Sequence, residues 1–400
     1  MEEYRMKALD QVWKMLPTPS LIAGPGTSSQ AVGVLTQLGV KRALVVMTGG
    51  PEAGLFDQHL KPALEAAGLV LIRFDQVQPD CPISSVNNGI QLAKTEHAEA
   101  IIAFGGGSSI DTAKVIAAAV VSGQSIEAMI GENKINGTVL PLIAIPTTAG
   151  TGSEVTHIAI LSDERDQLKK GITSPKIVPA YAILDPVLTL KKPPSLTAST
   201  GLDALSHAVE AYTSVNATVL TNFFAREAIR LILPNIRKAH AVGSDIKARY
   251  QMQLGSHLAG IAFSNAGVTA AHALAYPLGA RYHIPHGVSV MLLLASVFEF
   301  NLVGNEQLFK ELGSIFTGKQ VDECEPFEVI HELNTLCEAL NMPANLSAVN
   351  VDRNLIPEFS QSALKVERLL RNNPRTIDKA ADTLWIYERA FAYNRRLALK

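Results

Sequence analysis

Short apolar runs alternate with longer amphipathic stretches along roughly the first half of the sequence. The apolar runs, many of them β-branched, predict strands at residues 43–47, 70–74, 100–104 and 142–145. The stretches between them place apolar residues at helical spacing and predict helices at residues 56–66, 84–96 and 109–121. Because the strands are apolar almost throughout, both of their faces should be buried, which is typical of a parallel sheet covered by helices on both sides.

The pattern changes near Lys191, where two lysines are followed by Pro193 and Pro194, because consecutive prolines end regular structure. Beyond this point the apolar spacing is almost entirely helical, with candidate helices at residues 197–214, 222–241, 246–261, 266–279, 326–340 and 377–391. We therefore predict two domains, an α/β domain over residues 1–190 and an all-α helical domain over residues 191–400.

Composition narrows the class of protein. The 400 residues are 47% hydrophobic and 18% charged, which suits a folded protein with large cores. A formal net charge of −2 provides no basic surface for nucleic acid or an anionic membrane. Cys81, Cys324 and Cys337 form no CxxC pair, residues 1–13 hold no apolar core of signal-peptide length, and no run of about 18 apolar residues occurs. These features predict a soluble, cytoplasmic protein without nucleic-acid or membrane partners.

Four residues in the helical half form a candidate metal site. Asp203 and His207 are spaced i, i+4, so on a helix both side chains point from one face. His272 follows in an Ala-rich helical stretch, and His286 lies in a Pro-His-Gly segment that predicts a turn. Taken singly, such a pair is typical of a helix surface, and a lone histidine of a hydrogen-bonded core. Together, one carboxylate and three imidazoles suit a borderline divalent ion, Fe²⁺ or Zn²⁺.

A glycine-rich loop follows the third predicted strand. Gly105, Gly106 and Gly107 open a predicted helix, so free backbone N–H groups and the positive end of the helix favour a phosphate there. Ser108 or Ser109 is predicted to cap that helix. The loop lacks the complete Rossmann fingerprint and the GK[ST] of a Walker A loop, and on its own it could equally be a plain turn.

A second polar loop follows the fourth predicted strand. It contains Thr147, Thr148, Thr151 and Ser153, with glycines interspersed. Hydroxyl groups at the carboxyl end of a strand can hydrogen-bond a cofactor in an α/β sheet. Standing alone, the same segment is equally typical of a polar turn.

These motifs together resemble the iron-containing (group III) alcohol dehydrogenases, relatives of the glycerol dehydrogenase and dehydroquinate synthase fold. The likeness spans nearly the whole chain. It is carried by residues 105–108 with Asp111 and Lys114, and by residues 146–151, 183–186, 201–207, 277–279, 285–287, 373–375 and Tyr387. The resemblance implies a dehydroquinate synthase-like fold with a cleft between the α/β domain and the helical domain, and a homodimer.

The resemblance also implies roles for individual residues. The metal ligands would be Asp203, His207, His272 and His286. The residues that bind NAD(P) would be Gly106, Gly107, Ser108, Asp111, Thr147, Thr148, Thr151 and Lys169. Within that set, the two glycines and the serine would hold the pyrophosphate, the threonines would line the adenine and ribose side, and the lysine would reach a ribose.

Two departures from the family's pattern matter. Many members carry a second histidine four residues after the third ligand, where this chain has Tyr276, a candidate neighbour of the metal. An acidic residue commonly follows the strand at residues 43–47, whereas here Thr48 and Gly49 lie beside the expected ribose position. A carboxylate there would repel the 2′-phosphate of NADP(H). Its absence predicts that NADP(H) is accepted, unless Glu52 folds back into that place.

The predicted activity is reversible hydride transfer between a primary alcohol or aldehyde and NAD(P), assisted by Fe²⁺ or, alternatively, Zn²⁺. A small alcohol or aldehyde is thus the expected substrate. Two alternatives remain on the same fold, a dehydroquinate synthase-type and a glycerol dehydrogenase-type enzyme. A metal-binding protein without turnover is a third, although it leaves both polar loops unexplained.

Overall fold

The computed structural model describes residues 12–165 and 168–393 of the protein. They form two compact units. The first consists of Leu16–Lys192 together with Gly243–Gly260, and the second contains Pro193–Val242 and the chain from Ile261 onward. Most of the N-terminal segment that was considered for a signal peptide, residues 1–11, lies outside the described residues.

The first unit contains two sheets. Its strands are β1 Ser20–Ala23, β2 Arg42–Val46, β3 Val70–Phe74, β4 Ala100–Gly105, β5 Gly131–Glu132, β6 Leu142–Pro146, β7 Ile158–Asp163, β8 Leu168–Thr173 and β9 Tyr181–Leu184. Six of them form a parallel sheet in the order β1-β9-β6-β4-β2-β3. The others form a small sheet in the order β5-β8-β7. The helices are α1 Ala31–Gln37, α2 Pro51–His59, α3 Lys61–Ala66, α4 Ile83–Thr95, α5 Gly107–Ser122 and α6 Ile126–Met129.

Both faces of the six-stranded sheet are buried. Ala43 and Val45 of β2 belong to a core that includes Phe56 of α2. Leu44 of the same strand belongs to the core on the opposite face, with Ile116 of α5. Because side chains alternate across a strand, burial on both faces requires an apolar residue at nearly every position. The structure therefore confirms the prediction of a parallel sheet covered on both sides.

The apolar pattern located four of the strands and missed the others in the described residues. Strands β1 and β9 are only four residues long, and β5 has two. Strand β8, with the sequence LKKGIT, pairs antiparallel with β7. Its two lysines and its glycine interrupt any apolar run, so β8 was not recognisable from hydrophobicity.

The second unit is helical, as predicted. Its helices are α7 Pro194–Thr213, α8 Val219–Ala241, α10 Ala270–Tyr282, α11 His286–Leu302, α12 Glu306–Thr317, α13 Glu328–Ala339, α14 Ile356–Leu364, α15 Glu367–Leu370 and α16 Ala380–Phe391. Helix α9, Ile246–Ala266, contributes residues to both units. The helix predicted at residues 266–279 starts later, because Gly267 adopts a φ of +78° and separates α9 from α10.

The start of helix α11 differs from the turn that was predicted there. The Pro-His-Gly segment is not a turn: Pro285 is the N-cap, and His286 is the first residue of the helix. The sequence pattern did not reveal this helix because it is apolar nearly all round. Its run Val290–Phe298 is fully buried apart from Met291, Leu292 and Ala295, which are less than 9% exposed. A helix without a polar face shows no helical period in hydrophobicity.

The segment Gly243–Gly260 differs from the predicted domain division, which places all of residues 191–400 in the helical domain. Gln253 donates a hydrogen bond to the carbonyl oxygen of Pro146 at 3.1 Å. A Cβ on Gly260 would lie 3.0 Å from the carbonyl oxygen of Gly152. These contacts bind the first part of α9 to the loop after β6. Apolar spacing marks the segment as a helix but does not tell which core it joins.

Within residues 12–165 and 168–393, no single helix is both long and apolar enough to cross a membrane. One bent pair, α9 with α10, passes a test of length and composition only when the two helices are counted together. Helix α11 is apolar but has only 17 residues, and nearly all of them are buried. Helix α11 is therefore a core helix.

Candidate functional site

Three helices of the second unit carry the four predicted metal ligands. Helix α7 presents Asp203 and His207 one turn apart, as their spacing predicts. His272 is in the first turn of α10, and His286 is the first residue of α11. Tyr276 follows His272 by one turn of α10 and is half-buried. Each predicted ligand is thus held on a helix, which restricts its position more than a loop would.

The structure brings these four side chains together. Donor atoms of Asp203, His207 and His272 lie within 4.8 Å of one another. Asp203 Oδ1 is 3.8 Å from Nε2 of His272 and 3.8 Å from Nε2 of His286. The His207 ring stacks on the His272 ring with a centroid distance of 4.6 Å. The residues are therefore close enough for one ion to contact all of them after small adjustments.

Three polar atoms of this cluster are buried and have no hydrogen-bond partner among residues 12–165 and 168–393, namely Asp203 Oδ1, His207 Nδ1 and His272 Nε2. One unsatisfied buried polar group costs about 1–3 kcal/mol, so three at one place are typical of a ligand-binding site. A divalent cation would satisfy them, because carboxylate oxygens and imidazole nitrogens are ligands of Fe²⁺ and Zn²⁺. The residues present therefore fit a metal ion.

The protonation states of His207 and Asp203 suit a cation. Burial lowers the pKa of His207 to about 4, so its imidazole is neutral near neutral pH. Burial alone would raise the pKa of Asp203, but His207, His286 and His272 outweigh it and hold that pKa below its ordinary value. Neutral imidazole and ionised carboxylate are the forms that bind metals.

Gly287 accounts for the position of His286. A Cβ on Gly287 would collide with the carbonyl oxygen of Ser199 and lie 3.0 Å from Cβ of Asp203. Only glycine lets the start of α11 approach α7 this closely. The His286 side chain is 47% exposed, whereas that of Asp203 is 5% exposed. Small molecules can therefore reach the cluster from the His286 side.

The sequence analysis missed Glu210, a fully buried carboxylate of α7. Glu210 accepts hydrogen bonds from Nδ1 of His272 and from the backbone N–H and the hydroxyl of Thr269. Burial would lower the pKa of His272, but the charge of Glu210 and this hydrogen bond outweigh it and raise that pKa. Glu210 follows Asp203 by seven residues, so both lie on one helix face. That spacing was the available signal.

In the first unit, predicted cofactor residues lie in loops that follow the neighbouring strands β4 and β6. A Cβ on Gly106 would lie 3.3 Å from Thr148 Oγ1, and one on Gly107 would lie 2.7 Å from Thr151 Cγ2. Side chains at either glycine would therefore fill the space between the two loops. Strand β2 lies between β3 and β4, so the strand order reverses between β2 and β4, next to the glycine-rich loop. Ligands of α/β sheets bind at such points.

The start of α5 differs from the prediction in one detail. The N-cap is Gly106, and Ser108 and Ser109 lie inside the first turn, so the prediction that one of them caps the helix is wrong. A glycine N-cap has no side chain that could accept from the first-turn N–H groups. Those groups and the positive helix end suit a phosphate. The hydroxyl of Ser109 is buried without a partner.

Thr48 and Gly49 follow the end of β2, and the nearest carboxylate after them in the chain is Glu52. Glu52 accepts hydrogen bonds from Nζ of Lys192 and, at 3.2 Å, from the hydroxyl of Thr147. Burial would raise the pKa of Glu52, but Lys192 together with hydrogen bonds from Thr147 and Thr48 lowers that pKa below its ordinary value. The Glu52 carboxylate thus lies among Lys192, Thr147 and Thr48, and Thr48 is one of the two residues predicted beside the ribose.

Two other predicted cofactor residues have protein partners. Asp111 accepts a hydrogen bond from the hydroxyl of Ser153, in the loop that follows β6. Lys169 donates to Asp80 at 2.6 Å and to Ser162 at 3.0 Å. The structure therefore places Asp111 behind the polar loop as a support, and it joins Lys169 to neighbouring protein side chains.

Comparison with known protein families covers both units. A family described as iron-containing alcohol dehydrogenase matches residues 17–186. The C-terminal part of the Fe-containing alcohol dehydrogenase family matches residues 197–391. Together these matches extend over most of the chain.

Individual proteins are similar over nearly their full length. Long-chain-alcohol dehydrogenase 1 of Geobacillus thermodenitrificans is 38% identical over 379 residues, which cover 92% of this chain and 94% of that protein. The 1,3-propanediol dehydrogenase of Citrobacter freundii is 37% identical over 359 residues, covering 88% and 92%. The solved alcohol dehydrogenase from Oenococcus oeni superposes with a TM-score of 0.91 at 32% identity, covering 95% of this chain and 100% of that one. This chain therefore belongs to the iron-containing alcohol dehydrogenase family, oxidoreductases that act on CH–OH groups.

Proposed function

We propose that this alcohol dehydrogenase transfers hydride reversibly between a primary alcohol or aldehyde and NAD(P). The observation that carries the proposal is the cluster of Asp203, His207 and His272, with three buried donor atoms that lack partners. The named substrates of the two relatives, 1,3-propanediol and long-chain alcohols, support a primary alcohol. The dehydroquinate synthase-type and glycerol dehydrogenase-type alternatives have no comparable support.

In this proposal the four ligands hold Fe²⁺, with Zn²⁺ as the alternative. When bound, such an ion lowers the pKa of an alcohol hydroxyl, as it lowers that of a bound water, and it polarises an aldehyde carbonyl. Asp203 supplies the negative charge that retains the ion, and the neutral ring of His207 leaves a lone pair for it. His286, the exposed ligand, borders the side from which substrate enters. Tyr276, one turn after His272, is the candidate for passing the hydroxyl proton.

The loops of the first unit are proposed to bind NAD(P). Gly106, Gly107 and Ser108, at the start of α5, would receive the pyrophosphate. Thr147, Thr148 and Thr151 would line the adenine and ribose side, where Lys169 would reach a ribose. Asp111 would act indirectly, by holding the loop through Ser153. The first unit is thus proposed as the cofactor-binding domain and the second as the metal-binding domain of a cytoplasmic homodimer.

The proposed activity is tested by following reduced nicotinamide at 340 nm. We expect absorbance to rise when primary alcohols are added to Fe²⁺-loaded protein. The rise should stop after a chelator removes the metal, and it should resume when Fe²⁺ is restored. Parallel loading with Zn²⁺ compares the two ions, and a panel of chain lengths and diols ranks the substrates. Protein that retains one equivalent of metal but reduces neither NAD⁺ nor NADP⁺ with any alcohol would contradict the proposal.

Cofactor preference gives a first prediction for a variant. We expect wild-type protein to accept NADP(H), because Thr48 and Gly49 carry no charge at the end of β2 and Glu52 is engaged by Lys192. Gly49→Asp should lower kcat/KM for NADP(H) about tenfold or more and affect NAD(H) less. At roughly 4 Å and an effective dielectric near 20, two unit charges repel by about 4 kcal/mol, which solvent and salt reduce to about 1–2 kcal/mol.

Gly49→Asn is the matched control for that substitution. A Cβ at this position would lie 3.1 Å from the carbonyl oxygen of Asp75, so any side chain here requires a small backbone adjustment. Asparagine imposes the same steric change without the charge. The difference between the two variants therefore isolates the electrostatic part. A wild-type preference for NAD(H) above about a hundredfold, or equal effects of Asp and Asn, would contradict the prediction.

A further inference from the structure

Glu210 contacts both a metal ligand and the helix that carries it. One carboxylate oxygen, Oε1, accepts from the N–H of Thr269 at 3.0 Å, from its hydroxyl at 2.6 Å and from the N–H of Ala271 at 3.1 Å. The other oxygen, Oε2, contacts Nδ1 of His272. The remaining N–H of this turn, that of Ala270, donates to Asn373. The Glu210 carboxylate thus caps the start of α10 and also contacts His272, the predicted metal ligand on that helix.

These contacts involve both oxygens of the Glu210 carboxylate. Backbone N–H groups can only donate, so Oε1 must accept from Thr269 and Ala271. In an ionised carboxylate Oε2 accepts as well, which places the imidazole proton of His272 on Nδ1. The lone pair then lies on Nε2. That atom is the buried nitrogen without a partner, 3.8 Å from Asp203 Oδ1.

We propose that Glu210 is a positioning residue that sets the tautomer of His272 and anchors the helix start, so that Nε2 is presented to the metal. The inference rests on the metal site of the proposed function. A carboxylate behind a histidine ligand fixes the ring and makes it a better electron donor, and loss of such a partner weakens metal binding about 10–100-fold. Glu210 touches neither substrate nor cofactor in this role.

Glu210→Gln is the diagnostic substitution, because it keeps the size of the side chain but leaves only one acceptor oxygen. If that oxygen stays with Thr269 and Ala271, the amide N–H₂ faces Nδ1 of His272 and favours the proton on Nε2, where the metal should bind. If the amide turns round, its N–H₂ opposes the backbone donors. In either case one function of the carboxylate is lost.

Zn²⁺ affinity, measured by competition with a chelator, gives the first readout. We expect Glu210→Gln to bind Zn²⁺ about 10–100-fold more weakly than wild type. Glu311→Gln is the matched control, since Glu311 is a partly buried carboxylate of the same unit whose contact is the hydroxyl of Tyr212 at 3.4 Å. That control should bind Zn²⁺ as wild type does. Equal affinity of Glu210→Gln and wild type would overturn the role of Glu210.

A second readout uses wild-type protein and does not depend on the folding of a variant. Nitrogen–proton correlation spectra of Zn²⁺-loaded protein report which ring nitrogen of His272 carries the proton, with the signal assigned by its loss in His272→Gln. We expect the proton on Nδ1, hydrogen-bonded to Glu210. A proton on Nε2 would overturn the inference even if Zn²⁺ is bound. Wild-type protein that fails to bind Zn²⁺ in the chelator assay would instead overturn the metal site itself.

Discussion

His272→Ala is expected to lose most bound metal and most alcohol dehydrogenase activity while it still binds NAD(P). The substitution removes a buried nitrogen 3.8 Å from Asp203 Oδ1. Since loss of a partner behind a histidine ligand already weakens metal binding about 10–100-fold, loss of the ligand should weaken it about 100-fold or more. The glycine and threonine loops belong to the other compact unit, so affinity for NAD(P) should change little.

Three measurements separate this outcome from general damage. Elemental analysis of anaerobically purified protein gives the metal content, the rate at 340 nm gives the activity, and fluorescence titration gives the affinity for NAD(P). His331→Ala provides the control, because His331 is an exposed histidine on α13 of the same unit. Metal content near wild type in His272→Ala would contradict the ligand assignment. A parallel loss of NAD(P) binding would mean that the whole protein had been disturbed.

The clustering of the four predicted metal ligands could be anticipated from the sequence because part of their geometry is local. The i, i+4 spacing of Asp203 and His207 needs only a helix to place both side chains on one face. His272 and His286 are distant along the chain. They were predicted as ligands only because they follow the Asp203–His207 pair and because the sequence resembles a known family. The approach of His286 to Asp203 depends on Gly287, whose packing against Ser199 cannot be inferred from local spacing.

Residues whose role depends on tertiary partners were not predictable in the same way. Glu210 has the correct helical spacing, but its importance comes from Thr269 and His272, which lie 59 and 62 residues further along. Asp111 matched a family motif and was assigned to the cofactor, although its carboxylate meets Ser153, 42 residues away. A motif identifies which residues matter, whereas the fold decides whether a side chain touches the ligand or supports the loop that does.

The same distinction separates the strands that were predicted from those that were missed. Strands β2, β4 and β6 carry apolar runs because the sheet is covered on both faces, whereas the edge strand β3 is exposed at Val70 and Arg73. Strands β7 and β8 form a hairpin outside that sheet. Buried and half-buried residues alternate along β7, whereas Ile172 is the one buried residue of β8. Hydrophobic patterning therefore identified the central strands of the large sheet, but it did not identify the strands of the small sheet.

Lys114 is a charged residue that is nevertheless fully buried. Its Nζ donates to Ser153 Oγ at 3.0 Å, to Thr156 Oγ1 at 2.8 Å and to the carbonyl oxygen of Ile158 at 2.7 Å. The carboxylate of Asp111 lies 3.8 Å from Nζ. One buried ammonium thus ties helix α5 to the segment that follows the polar loop. A buried charge is stable only with partners of this kind.

The pH dependence of this contribution has a definite sign. Burial lowers the pKa of Lys114 from 10.5 to about 8, against the opposing effect of Asp111. Between those values the unfolded chain binds more protons at this lysine than the folded chain does, so stability rises with pH in that window. Below it the lysine is charged in both states, and the cost of burial is present in full. A variant without the lysine should lack this rise.

Lys114→Met is accordingly expected to lower the free energy of unfolding by about 3–5 kcal/mol, because it leaves Asp111 buried without its cation. Urea unfolding at pH 7 measures the loss, and the gap from wild type should widen between about pH 8 and 10.5. Lys94→Met, at an exposed lysine of α4, should stay within about 0.5 kcal/mol of wild type. Asp111→Asn combined with Lys114→Met should cost less than the two single changes together, since neither charge is then left alone. Strict additivity, or a loss below about 1 kcal/mol in Lys114→Met, would mean that the pair does not hold this loop.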